Sequence, residues 1–351
     1  MKNYIVRYFN FIKKFIPSQP EATIVGLDIA QHECRLIELK RKAKDYAIAR
    51  CAHEPIQGQN PVEAIKNALI NVDTAHAQIH TSVQGKGTLV RYITMPRMSV
   101  DELRNSFSLE SDKYFPFATD QIYTDCHILE PEGKSKQMEV LAAASTKDLI
   151  DGRIKLLNDA GVQADSITLN SIALANIINT LDAKRELQGE TVQAIVNIGD
   201  AVSSVTIMVG ALPKFSRDIF IGGKDIKKRI SNALGVSEDE AAELCSMPGD
   251  KEKEIAAACE SIYQNITQEI RLSFDYFSTE KNKEVAKVLL AGEIANNSGI
   301  KKILEDSLEI EVLIWNPAEQ FACADATVQE EIKSNAQKYS IALGLALLQY
   351  D

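Results

Sequence analysis

The chain has 351 residues, 45% of them hydrophobic and 25% charged, with a formal net charge of −10. That length suits two domains or one large two-lobed body, and the composition is that of a soluble globular protein. The acidic balance argues against a general nucleic-acid binder. Six cysteines, at 34, 51, 126, 245, 259 and 323, are scattered, with no CxxC and no Cys/His cluster at metal-ligand spacing. They read as small core residues in a reducing cytoplasm.

Met1 to Ile16 stands apart. It carries Lys2, Arg7, Lys13 and Lys14 and no acid. On a helical wheel Ile5, Tyr8, Phe9, Ile12, Phe15 and Ile16 share one face. The cations run throughout and no small-residue cleavage site follows, which excludes a cleavable signal peptide. Such a helix suits an anionic membrane surface, and equally the protein's own body or a partner. Pro17 to Pro20 forms a short stiff linker.

Ile24 to Ala30 and Cys34 to Leu39 read as two β-rich arms around a tight turn, with a third strand over Tyr46–Pro55. Pro61 opens a helix to about Asn71, and Gln78–Val83 and Leu89–Thr94 are strands. Ser99 caps a helix expected over Val100–Phe115, with Asp101 and Glu102 in its first turn. Strands over Tyr123–Leu129 and Glu139–Ser145 and a helix over Thr146–Ala160 complete a β-α-β-β-α unit, about 89–162. Val162–Ile167 is a strand and Ser171–Leu181 a helix. From Thr191 the opening pattern returns: Ile195-Val196-Asn197-Ile198-Gly199-Asp200, then Val205 to Val209, then a strand over Ala211–Ile221. Gly222-Gly223 precedes a helix, Ser237 caps another to Cys245, and Ile255–Phe277 is one long helix. Lys287–Ala291 is a buried strand ending at Gly292. A helix over Asn297–Leu308, a strand over Val312–Trp315 and a final helix over Ala336–Leu348 follow.

The two hairpins lie about 170 residues apart, the spacing of a duplicated two-lobed fold. Each holds a polar residue in an apolar arm, Asp28 or Asn197. An unpaired buried polar group costs about 1–3 kcal/mol, so each needs a reason. Either each is an ordinary satisfied hairpin end, or the hairpins face each other across a cleft and hold a phosphate and its metal.

The order of elements resembles the α/β actin-like (actin/Hsp70/sugar-kinase) fold, two-lobed, with a small β-α-β-β-α subdomain inserted in the first lobe. Within it, residues from about 22 to 349 resemble the PilM family of type IV pilus assembly, related to FtsA. The specific part is Arg91 to Met98, then Asp101-Glu102-Leu103, then Lys113-Tyr114-Phe115-Pro116-Phe117 and Asp125. Ile270 to Phe277 and Ala342 to Ala346 resemble the family's long and terminal helices. The resemblance implies four regions. Residues 1–20 are the amphipathic segment and linker, and 21–190 the first lobe with its insertion. Residues 191–325 are the second lobe, and 326–351 a helix returning to the first.

The resemblance also implies a nucleotide site for ATP with Mg²⁺, on Gly26, Asp28, Ala30, Arg35, Asn197, Gly199, Asp200, Ser203, Gly222, Gly223, Glu243, Gly292 and Glu293. Asp28 would orient the metal through water. Several motif positions depart from the family. Ala30 stands for a glycine, and Gln31 and His32 for serines. Arg35 stands for Lys, and Asn170 for an Asp. Cys245 replaces the Lys paired with Glu243, and Glu293 replaces a second glycine. Cβ atoms crowd a phosphate where a glycine admits it. No residue is identifiable that would position a water against a γ-phosphate, so the sequence leans away from an enzyme.

The function the resemblance implies is a cytoplasmic scaffold, peripheral to the inner membrane, with weak or regulatory ATP binding. Its partner would be the N-terminal peptide of a PilN-like membrane protein, in a groove lined by Met95, Pro96, Met98, Leu103, Phe107 and Phe117. Residues 1–16 would meet the membrane surface, self-association stays open, and nucleic acid is not a partner. The alternatives are an FtsA-like membrane-tethered filament protein and an ATPase or kinase of the same fold. A GspL-type secretion protein is another, but that family continues into a membrane span that this sequence does not contain.

Overall fold

A computed structural model describes residues 23–348, apart from 43–44, 57–59, 132, 134, 186–190, 247–248 and 297. The basic segment Met1 to Ile16 lies outside the described residues. The chain opens with β1 (Thr23–Ile29), β2 (Glu33–Lys42), β3 (Asp45–Pro55), α1 (Pro61–Ala68) and β4 (Ala77–Val83). Then come β5 (Thr88–Pro96), α2 (Val100–Glu110), β6 (Ile122–Ile128), β7 (Gln137–Thr146), α3 (Lys147–Asp159), β8 (Ser166–Leu169) and α4 (Asn170–Arg185). The second half holds β9 (Val192–Asn197), β10 (Ser203–Val209), β11 (Leu212–Ile219), α5 (Gly223–Leu234), α6 (Glu238–Ser246) and α7 (Glu252–Lys281). It ends with β12 (Lys287–Ala291), α8 (Ser298–Leu308), β13 (Glu311–Ile314), β14 (Ala322–Cys323), α9 (Ala326–Asn335) and α10 (Ser340–Ala346).

Two large sheets repeat one topology. The first runs β14-β3-β2-β1-β4-β8 and the second β11-β10-β9-β12-β13. In each, three strands pair antiparallel and two more add in parallel on the side of the first strand. A third, smaller sheet, β5-β7-β6, is antiparallel throughout.

Helices α4 and α10 share one core with both large sheets. Ala173, Leu174, Ile177, Ala342 and Leu345 cluster with Ile24 and Ile37 of the first sheet and Ile195 and Met208 of the second. Small residues let the backbones approach. A Cβ at Gly26 would fall 1.9 Å from the Ala342 carbonyl oxygen, so only glycine fits β1 under α10.

The small sheet has its own core. Met95, Leu103, Met138 and Val140 form one cluster, and Phe107, Phe115 and Ile122 another. Helix α2 begins in a reciprocal cap: Ser99 Oγ accepts from the Glu102 N–H and the Glu102 carboxylate accepts from the Ser99 N–H. It stops at Glu110, short of the expected Phe115, and a 3-10 turn over Ser111–Lys113 follows. Pro116 disfavours a helical Phe115, whose buried ring instead meets Phe107 edge-on at 6.0 Å. Helix α3 packs under the first sheet, where Leu157 and Ala160 join Val25, Leu27 and Ile79. That packing brings one face of α3 to the end of β1. The helix expected over 326–351 is divided into α9 and α10 by a 3-10 turn over Ala336–Tyr339; Asp325 accepts from the Val328 N–H at the start of α9, and Ile332 fastens it to the shared core.

Candidate functional site

Strands β1 and β9 hold equivalent places in their sheets, and ligands of open α/β sheets sit beyond the carboxyl ends of such strands. Asp28 and Asn197 close those ends, 4% and 2% exposed. The turns that follow, Ile29 to Gln31 and Gly199 to Val202, wall a cavity of about 320 Å³. Arg35, Ser82, Gln84, Arg153 and Asn170 line it too. Of the residues expected from sequence, it gathers Asp28, Ala30, Arg35, Gly199 and Asp200.

On the first hairpin, strand register sets Asp28 directly opposite Arg35, and Arg35 Nη1 lies 3.3 Å from Asp28 Oδ2. Burial pushes the Asp28 carboxyl up, against the pull of Arg35 and Arg153. Arg35 also pairs with Glu33, which His53 Nε2 approaches at 3.1 Å. Burial would raise the Glu33 carboxyl, but His53 and Arg35 outweigh it and bring it down to about 2. Arg153 arrives from α3, and its Nη2 donates to the Ile29 carbonyl at 3.0 Å. Burial lowers its pKa, and the Asp28 charge opposes that. The Ala30 N–H donates to the Glu33 carbonyl at 2.9 Å, so the turn amide faces its own hairpin.

On the second hairpin, Asp200 is held from both sides. Lys227 Nζ stands 3.2 Å from Oδ1, and His32 of the first turn reaches across the cavity to 3.4 Å from Oδ2.

A second, larger cavity of about 750 Å³ opens beside the first. Its walls are β5, Pro116-Phe117, β11 and α7, with Val83 to Lys86 and Leu169 to Ser171 at its floor. Gln84 and Asn170 line both cavities, and Asn170 Nδ2 donates to Gln84 Oε1 at 2.9 Å. Gln84 in turn donates to Asp218 Oδ1 at 3.2 Å.

A family model described as type IV pilus assembly protein PilM matches residues 26–350. The chain belongs to the PilM family. Among solved structures, it is similar to the chain titled "PilM-PilN type IV pilus biogenesis complex". The TM-score is 0.80 at 22% identity, covering 93% of this chain and 98% of that one. It is also similar to MreB 5 of Spiroplasma citri bound to AMPPNP, with TM-score 0.51 and 9% identity over 93% of this chain and 95% of that one. MreB5 of Spiroplasma citri bound to ADP matches with TM-score 0.50 and 9% identity, covering 92% and 94%. The fold is therefore the α/β actin-like fold of PilM and MreB proteins.

The other positions expected to hold nucleotide are not in the first cavity's lining. Gly26 packs against α10. A Cβ at Gly222 would fall 2.4 Å from the Asp200 carbonyl oxygen, and one at Gly292 2.2 Å from that of Ile198. At Gly223 it would meet Ile294 Cδ1 at 2.8 Å. These glycines let the α5 start and the β12 end close onto the second hairpin. Ser203 is buried and its hydroxyl donates to the Ile221 carbonyl at 2.7 Å, which turns it from the cavity. Asn197 is buried behind the turn, beside Gly199. Glu243 lines a separate cavity of about 270 Å³ with Lys251, while Cys245 is in the second core. The Glu293 side chain lies outside the described residues.

The six residues expected to line the peptide groove do not gather at one cavity. Met95, Leu103 and Phe107 are 7%, 1% and 2% exposed and serve as core of the small sheet. Pro96 and Met98 lie outside the large cavity's lining, and Phe117 alone of the six lines it. The reading of the sequence missed Arg153, Lys227 and Gln84, and quoted His32 only as a lost serine. For Arg153 the one local signal was an arginine on α3 flanked by residues of that helix's packed face.

Among the described residues, no group of three His, Cys, Asp or Glu side chains is placed to hold a metal ion. No helix among them is long and apolar enough to cross a membrane.

Proposed function

We propose that this chain is a scaffold of the type IV pilus assembly platform, at the cytoplasmic face of the inner membrane. It takes the N-terminal peptide of a PilN-like membrane protein in the larger cavity, and the smaller cavity holds a weakly bound or regulatory polyphosphate ligand such as ATP. The observation that carries the reading is the larger groove itself. Its walls bear the exposed side chains of Phe220, Leu272 and Tyr276, at 51%, 48% and 57% exposure. Exposed aromatic and aliphatic side chains at a groove are the usual anchors for an extended peptide. The likeness to a chain solved as a PilM-PilN complex supports the choice of partner.

The engagement of Asp28 by Arg35 favours a ligand role for the smaller cavity over turnover. Titration of the full chain with the cytoplasmic N-terminal peptide of a PilN-like protein tests the reading. Tyr276→Ala and Phe220→Ala are each expected to weaken binding about tenfold. No binding, or binding that both variants leave intact, overturns it.

A further inference from the structure

A carboxylate serves a divalent cation when its oxygens face that ion or its water shell. Asp28 faces guanidinium groups instead. Arg35 lies across the strand pair at 3.3 Å, and Arg153 enters the same cavity from α3. Arg153 uses Nη2 on the Ile29 carbonyl, next in chain to Asp28, while its Nη1 is buried with no hydrogen-bond partner among the described residues. Lys227 pairs with Asp200 of the second turn at 3.2 Å. A Mg²⁺ ion placed at Asp28 would compete with the Arg35 cation already paired there, and Asp28 and Asp200 belong to no group of three His, Cys, Asp or Glu side chains placed to hold a metal ion among the described residues, so the residues present do not fit the metal. They offer an anion the charge of two guanidinium groups and one uncommitted donor, Arg153 Nη1. With the Ala30 amide bonded inside its own hairpin, side-chain donors are what the first turn has left to offer.

We propose that Arg153, together with Arg35, stands in for the divalent metal, so that this cavity binds polyphosphate directly and without Mg²⁺. The ligand class is a di- or triphosphate anion, whether free or carried by a nucleotide. Nothing in the inference uses the peptide groove. It rests on the reading of the smaller cavity as a polyphosphate site.

The test is calorimetric titration of the nucleotide-stripped full chain with ATP and with inorganic pyrophosphate, each in Mg²⁺ and in EDTA. Affinity is expected to agree within about twofold between Mg²⁺ and EDTA. Arg153→Gln should weaken binding about tenfold or more, and Arg153→Lys should restore part of it. Asp28→Asn should bind as tightly as the parent or tighter, because it removes a negative charge from the cavity, whereas a metal-binding Asp28 would lose the ligand. Tighter binding of ATP than pyrophosphate assigns a nucleotide, and equal binding assigns the phosphates alone; both support the proposal. Binding that vanishes in EDTA, or in Asp28→Asn, overturns the role of Arg153 and leaves the polyphosphate reading standing. Binding by Arg153→Gln equal to the parent does the same. Absence of binding by either ligand in either buffer overturns both. If Arg153→Gln does not fold, the EDTA and Asp28→Asn arms decide.

Discussion

The hairpins β1–β2 and β9–β10 occupy the same place in two sheets of the same strand order, yet they have diverged in opposite senses. The first has Ala30 in its turn and gathers side-chain charge, with Asp28, Glu33, Arg35 and Arg153 meeting at its end. The second keeps its glycine and closes on itself, a Cβ at Gly199 falling 2.3 Å from the Val202 carbonyl oxygen. Glycines on the second hairpin and its neighbours sit where backbone lies against backbone, while the first hairpin brings charged side chains to the cavity.

The sharpest way to break this comparison is to fill the glycines. Gly222→Ala should cost about 3 kcal/mol or prevent folding, since both nearest atoms are backbone oxygens, at 2.4 and 2.5 Å. Gly161→Ala is the control: its φ is +81° but its surroundings are open, so about 1 kcal/mol is expected. Urea denaturation measures both. Equal losses would mean that close packing is not what holds these glycines.

The charge on the first hairpin has a pH signature. Glu33 lies at about 2 in the folded chain against 4.5 as its ordinary value. A depressed carboxylate stabilises above its unfolded pKa and stops doing so as pH falls through the folded one. Stability on the order of 3 kcal/mol should thus be lost between about pH 5 and pH 2. Glu33→Gln should flatten that slope, and a slope unchanged in the variant would refute the assignment.

A smaller effect is expected at His32, which links the first turn to Asp200 of the second. His32 is half exposed, so His32→Ala should change stability by less than about 0.5 kcal/mol. A larger loss would show that the turns act as one clasp. Last, lipid flotation of the full chain against a chain starting at Glu21 asks whether residues 1–16 add a membrane contact. Equal flotation would remove that role.

Much of the fold was legible in the sequence. Alternating apolar strands, Ser99 and Ser237 as caps and Pro61 at a first turn are local signals, and each acts within a few residues of itself. The repeated hairpin announced a duplicated architecture because equal sheets need equal strands. Other features were open until the chain folded. Met95, Leu103 and Phe107 are apolar whether they line a groove or fill a core, and burial alone separates the two. The motif glycines read the same whether a phosphate or a carbonyl occupies the space where a Cβ would be. Arg153 lies 124 residues from the carbonyl it binds, and nothing in the spacing of α3 says which face meets the end of β1. The sequence by itself determined the elements and the family, because those follow from periodicity and local chemistry. Tertiary structure decided which residues own the cavities, because that depends on which distant backbones come into contact.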